Sequence, residues 1–318
     1  MSPQDPAAPS ATLAATWREQ NRWSRAADRA KRSYLRWSGG VVAMSIAAAA
    51  AATLASQLPW PPFQRAASFA SAVLMATVAL VGRTKTSPER LREWLRARSA
   101  SEGLKTEAYL FVMRCGPYRE DEPHLKLSDR VAVIADATRD LTTVAADILP
   151  AESRPPPDPM SLDTYLQQRV RSQINEYYRK KAAQEARRVS AYRSAEFGLA
   201  ILGVVLGVWS GTGEHSAPIA PWAAVVTTAI AAVAAHLAAG RHEYQVTTYT
   251  ATALQLERLS ARFQDRHRDR PATPQEIDEL VTECEAAISV ENQGWMTQWE
   301  KPVASPGLRS AAPPSEAE

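Results

Sequence analysis

Only two cysteines occur in the 318 residues, Cys115 and Cys284, and they lie far apart. That excludes a disulfide-stapled scaffold and a zinc site built on paired cysteines. Five histidines are scattered along the chain, and His242-Glu243 lacks the second histidine that a zinc-protease helix requires. No Gly-Lys-Ser or Gly-Lys-Thr is present. Gly211-Thr212-Gly213 has no strand before it and reads as a turn, not a phosphate loop. With these signatures missing, the chain is expected not to be an enzyme, with no catalytic, cofactor-binding or metal-binding residues. An excess of one charge is missing too. Lys+Arg 37 against Asp+Glu 34 leave +3, too balanced for a dedicated nucleic-acid binder, and no specific nucleic-acid binding is expected.

Charge is also absent locally. Trp37 to Gln64, Ala66 to Gly82, Phe197 to Gly213 and His215 to Gly240 contain no Asp, Glu, Lys or Arg, Glu214 and Arg65 being the breaks between them. A bilayer core of about 30 Å needs about 20 helical residues. Spans are therefore expected at about 39–58, 66–82, 197–213 and 219–240. Buried helices of a soluble core are the alternative, most credible for the two shorter runs. The pairing favours membrane hairpins. Pro59-Trp60-Pro61-Pro62 joins the first two runs, and the Gly- and Pro-containing segment Ser210 to Pro218 joins the last two.

Basic residues crowd one side of each hairpin. Arg18, Arg22, Arg25, Arg29, Lys31, Arg32 and Arg36 precede the first span, and Arg83, Lys85, Arg90, Arg92, Arg96 and Arg98 follow the second. The third is preceded by Arg179, Lys180, Lys181, Arg187, Arg188 and Arg193, whereas the turns hold only Arg65. Such a bias places basic flanks, and here both termini, in the cytoplasm. Trp37, Trp60, Trp209 and Trp222 stand near span ends, at headgroup level. A signal peptide is the other reading of the first span, but the long basic region before it argues against one.

Five segments are expected: a disordered 1–15, a first unit over 16–150, a Pro-rich linker over 151–160, a second unit over 161–300, and a disordered tail over 301–318. Ser87-Pro88-Glu89 opens a helix that Gly116-Pro117 ends, and Leu127 to Leu149 fits another. Ser161 caps a long helix with Leu162, Tyr165, Leu166, Val170 and Ile174 on one face. Tyr244 to Arg266 fits a further helix. Thr273-Pro274-Gln275-Glu276 is a capping box that starts the last one, with Ile277, Leu280, Val281, Cys284 and Ile288, and with Trp295 further along. The halves read as one plan used twice. An offset of about 155 residues sets Trp94 on Tyr249, Glu102 on Glu257 and Leu104 on Leu259.

Within the spans a few residues stand out. Gly203 and Gly207 clear one face of the third span for close helix packing, either inside the hairpin or between copies. Ser45, Thr53 and Ser56 share a face of the first span and are pore-lining candidates, although such hydroxyls also bond their own helix. His236 lies inside the fourth span, where an ionisable group faces protein or water, and it joins the pore-lining candidates. The basic helices beside the spans face lipid headgroups first.

The helix carrying Ser101-Glu102-Gly103-Leu104-Lys105-Thr106-Glu107-Ala108-Tyr109 behind a short hairpin resembles the SLATT domain, a two-span effector module associated with nucleotide-second-messenger systems. Tyr165-Leu166-Gln167-Gln168-Arg169-Val170, Tyr177-Tyr178-Arg179-Lys180-Lys181-Ala182 and Glu291-Asn292-Gln293-Gly294-Trp295 are similar to another SLATT subtype. The resemblance to tandem SLATT domains covers about residues 17–300. It implies an all-α membrane protein of two helical hairpins, with long cytosolic helices continuing from the spans. It implies an oligomeric, pore-forming effector of the bacterial inner membrane in an antiphage or conflict system, triggered by a nucleotide signal from a separate sensor or synthase. The alternative is a non-pore scaffold or sensor that recruits partners through its cytosolic helices.

Overall fold

A computed structural model of the chain describes residues 11–146, 148, 155–211 and 218–300, the side chains of 290–300 excepted. The expected disordered tail, residues 151–154 of the linker, most of the second turn and the side chains of Glu291 to Trp295 lie outside the described residues. The described residues are predominantly helical and form no strand. Helix α1 (Ala11–Gln57) runs unbroken from the extramembrane side to the end of the first span. It starts earlier than composition implies. Residues 11–15, expected to be disordered, are helical because Leu13 is buried in the core. Helix α2 (Pro61–Thr84) begins on its own two prolines, which suit a first turn with no hydrogen bonds to lose. The turn before it is correspondingly short.

Helix α3 (Pro88–Met113) starts at Ser87, whose hydroxyl accepts from the Arg90 N–H, and ends where Arg114 turns left-handed at φ 56°. The helix expected over 127–149 is instead α4 (Pro123–Ala137), a 3₁₀ turn at Arg139–Leu141, and the short α5 (Thr142–Ala146). Thr138 causes the break. Its hydroxyl donates to the carbonyls of Ile134 and Ala135, and the turn behind it brings Leu141 and Ala145 into the core.

The long helix expected after Ser161 is present but not uniformly α. One turn, α6 (Leu162–Tyr165), leads into two π-helical stretches, Leu166–Arg171 and Gln173–Tyr178, and then α7 (Arg179–Gly211). Helix α8 (Ala220–Gly240) forms the fourth span, followed by α9 (His242–Arg266) and α10 (Pro274–Glu300). The capping box holds as read. Glu276 accepts from the Thr273 N–H at 2.9 Å, while the Thr273 hydroxyl accepts from the Glu276 N–H at 3.3 Å.

Among the described residues, four helices are long and apolar enough to cross a membrane: α1, α2, the helix ending in α7, and the one beginning with α8. They stand in the order α2, α1, α8, α7, each packed on the next. Their lateral surfaces stay apolar and open, as at Phe69, Phe197 and Val204, which suits lipid and would be ruinous in water. The described segments outside the spans, apart from the inter-span turns, gather at one end around a single core. That core takes Trp17 and Trp23 from α1, Leu104 from α3, Val170 from the π-helical stretch, Leu256 from α9 and Val281 from α10. Both halves thus share one hydrophobic body.

At the centre of this body lies an ion pair. Arg169 Nε donates to Glu285 Oε1 at 2.9 Å and a terminal guanidinium nitrogen donates to Oε2 at 2.8 Å, with both residues almost wholly excluded from water. The Tyr165 hydroxyl (3.0 Å) and the Thr106 hydroxyl (3.2 Å) also donate to Glu285. Arg169 lies 4.3 Å from the centre of the Tyr109 ring. Burial alone would favour the neutral guanidine, but Glu285 holds Arg169 firmly charged. Glu285→Gln should cost about 3–5 kcal/mol, because it strands a buried cation. Arg169→Met/Glu285→Leu should recover the larger part of that loss. Thermal melting of the detergent-purified chain measures both. A double variant no better than the single one would show that the pair is not the element being disrupted.

Candidate functional site: the four-span row and its neck

The two hairpins meet where α1 packs on α8. At the turn end, Gln57 makes the join. Its amide nitrogen donates to the Pro218 carbonyl at 2.6 Å and its oxygen accepts from the Trp222 indole N–H at 3.2 Å. At the body end, Ser38 and His236 are 3.1 Å apart, Oγ to Nδ1. Inside the first hairpin the Ser71 hydroxyl donates to the Ala48 carbonyl at 2.9 Å. In a layer without water, each polar side chain needs such a partner, so these few contacts fix how the helices pair.

Below His236 the polar contacts continue into the neck. The Tyr192 ring lies edge-on to His236, centroids 5.4 Å apart, and stacks on His242 at 5.9 Å. His242 Nδ1 is 2.6 Å from Glu185 Oε2, and Arg188 donates to Glu185 Oε1 at 2.7 Å. Local backbone makes this possible. Arg241 adopts a left-handed conformation, φ 45°, which bends the chain between α8 and α9 and folds the His242 ring back over Gly240. A Cβ on Gly240 would sit 2.3 Å from His242 Nε2, so any larger residue there would displace the His242 ring. Burial pushes Glu185 toward the neutral form, but the hydrogen bond from His242 and the charge of Arg188 outweigh it and hold its carboxyl below the usual range. Across the neck, Lys31 lies 5.5 Å from the centre of the Trp94 ring. Burial, together with the charges of Arg98 and Lys181, lowers Lys31 to about 8.

The body also holds a polar groove of about 1140 Å³. Pro155 to Met160 form one wall, and Trp17, Gln20, Lys105 and Arg169 stand among the residues opposite. Lys105 is pulled below its ordinary value by burial and by the charge of Arg169. Cys115 and Cys284 are free thiols, each pushed up to about 12, by burial first and by nearby carboxylates second. Among the described residues, no three His, Cys, Asp or Glu side chains are grouped to hold a metal ion.

The residues singled out in the sequence fall in different places. Gly203 faces α8, where a Cβ would meet Val226 at 3.5 Å, while Gly207 faces open space. Thr53 is buried within the row, Ser45 is partly covered and Ser56 is exposed. The Ser45 hydroxyl donates to the Val41 carbonyl at 2.9 Å and that of Ser56 to the Thr53 carbonyl at 2.7 Å, both within α1. His236 joins α8 to α1 and α7. Sequence reasoning missed Gln57, Glu185, His242 and the Arg169–Glu285 pair. A signal for the last was present. Glu285 lies inside the apolar stripe of Val281, Cys284 and Ile288, where a carboxylate survives only with a partner.

Two outcomes follow. Gly203→Ile should lower the melting temperature of the detergent-solubilised chain by about 2–4 °C or more, since a branched side chain pushes α8 away. Gly207→Ile should leave it unchanged, and equal melting of the two would refute the assigned packing. The lowered Lys31 disfavours the charged form on folding. Its penalty is complete below pH 8 and relieved as pH rises from about 8 to 10.5. Lys31→Met should therefore melt higher than the natural chain at pH 7, by about 2–4 °C, with the gap closing toward pH 10. A gap that widens with pH would contradict the burial of this amine.

Comparison with known proteins agrees with this geometry. Residues 165–295 match the family described as SMODS and SLOG-associating 2TM effector domain 1, and residues 20–126 match a protein family of unknown function, DUF4231. No curated protein and no solved structure matches the chain. The first match covers α7 and α8, the second α1 and α2, so each takes in one hairpin with its flanking helices. The chain is a multi-pass membrane protein with a SLATT-type arrangement of two hairpin units, the second of which, residues 165–295, matches the SLATT two-transmembrane effector domain family.

Proposed function

We propose that this chain is a pore-forming membrane effector of an antiphage or conflict system, opened by a nucleotide-linked signal from a separate sensor or synthase. The observation that carries the reading is the open row of spans in a SLATT-type chain. The order α2, α1, α8, α7 leaves two apolar edge helices, α2 and α7, with no comparable packing on each other. A row of four encloses a channel only when further copies complete it, so the working form is a homo-oligomer in the bilayer. The shared body and both termini are cytoplasmic in this reading, which the lysine and arginine bias supports, and the membrane is the bacterial inner membrane. In this reading the protein is not an enzyme and binds no specific nucleic acid. Ser45, Thr53, Ser56 and His236 are the pore-facing candidates, and subunit rearrangement would bring them to the lumen.

Overproduction should depolarise cells before they lyse, as read by a voltage-sensitive dye. Liposomes containing the purified chain should pass ions when the product of the accompanying nucleotide synthase is added. Ser45→Ala/Thr53→Ala/Ser56→Ala should insert normally and lower the flux several-fold. Liposomes that stay sealed with and without the nucleotide, with the protein shown to be inserted and folded, would favour the scaffold reading.

A further inference from the structure

A recess of about 260 Å³ lies where α1, the α2–α3 elbow and α5 meet. Its apolar floor is Ala26, Ala30 and Val144. Its polar wall comes from two neighbouring turns of α1, which supply Arg29, Ser33 and Tyr34, from the elbow, which supplies Lys85, and from the start of α3, which supplies Arg90 and Glu93. Arg90 is paired with Glu93 at 2.9 Å. The other donors are unused. The side chains of Arg29 and Lys85 make no hydrogen bond or ion pair with a described residue, nor do the hydroxyls of Ser33 and Tyr34. Two free cations and two free hydroxyls on one recess match a phosphate, which accepts several hydrogen bonds and carries negative charge.

The depth of the recess selects among phosphates. Tyr34 precedes the start of the first span at Gly39 by five residues, about 8 Å along a helix. The headgroup layer of one leaflet is roughly 5–8 Å thick. Lys85 sits three residues past Gly82, the end of the second charge-free run. Lys85 therefore stands at the level of the lipid phosphates and Tyr34 at the outer edge of the headgroup layer, with Arg29 rather more than one helical turn further out. Burial raises Tyr34, which keeps its hydroxyl a donor at neutral pH. We infer that the recess between α1 and the α2–α3 elbow binds the phosphate of an anionic lipid headgroup through Arg29, Lys85, Ser33 and Tyr34. The site belongs to the first hairpin and does not depend on pore formation.

Native mass spectrometry of the detergent-purified full chain, titrated with phosphatidylglycerol or phosphatidylcholine, tests this. Phosphatidylglycerol should bind the natural chain more tightly than phosphatidylcholine. Arg29→Gln/Lys85→Gln should weaken phosphatidylglycerol by at least about tenfold. Arg114→Gln/Arg268→Gln, an equal loss of charge elsewhere, should leave it unchanged. Tyr34→Phe keeps the ring beside Trp94 and should weaken binding by a smaller factor, providing a variant with little risk to folding. Millimolar inorganic phosphate should not displace the lipid. Equal affinity for both lipids, equal loss in the Arg114/Arg268 control, or full binding by both recess variants would overturn the site. Displacement by inorganic phosphate would assign the recess to a soluble phosphate and overturn its assignment to lipid.

Discussion

The buried pair of Arg169 and Glu285 is the constraint around which the body is arranged. Two charges removed from water require near-complete satisfaction, or the desolvation cost exceeds their attraction. Here the partners come from three places: Arg169 and Tyr165 from the segment ahead of the third span, Glu285 from the last helix, Thr106 and Tyr109 from α3 of the first unit. None of these elements can move away alone without stranding a charge. The pair's arginine sits on the π-helical stretch ahead of the third span. In this wider winding Arg169 points inward while Leu166, Val170, Ile174 and Tyr178 remain buried on either side. The Gly116 N–H, in the turn that follows α3, adds a second tie to α10 by donating to Asp278.

This arrangement makes the two units interdependent. The halves repeat one plan in sequence, and each family match covers one hairpin, yet α10 of the second unit packs against α3 of the first. Trp94 and Tyr249, set on one another by the internal offset, are both buried in the shared core. The units are therefore two copies of one design that bury a single set of apolar side chains, and neither half carries a complete core of its own.

The spans, their pairing and the helix starts were legible because they rest on local chemistry. Charge-free runs report lipid, Ser87 and Thr273 cap helices through their own hydroxyls, and prolines begin α2 and α3. Three things were not legible. The order of the helices depends on single side chains such as Gln57 and Ser38, whose partners are more than a hundred positions away. The break at Thr138 depends on where the core needs Leu141, which is a tertiary demand. The bend at Arg241 depends on a non-glycine residue taking a left-handed conformation, which the His242–Glu185 contact sustains against its local preference. Gly203 and Gly207 show the same limit: their spacing marks a cleared face, but only the fold reveals that Gly203 meets α8 and Gly207 does not.

The gathering of the described extramembrane helices at one end has a mechanical side. Helix α1 is 47 residues long, about 70 Å, and its inner half is clamped in the body while its outer half crosses the bilayer. It is a stiff rod held at one end. At the far end, among the described residues, the Gln57 side chain links the hairpins through contacts to Trp222 and Pro218. A tilt of about 5° at the neck moves the tip of a 30 Å span by about 3 Å, roughly the length of one hydrogen bond. A small rotation of the body would therefore displace the span tips by as much as that link is long, while the α1–α8 packing nearer the body would move much less.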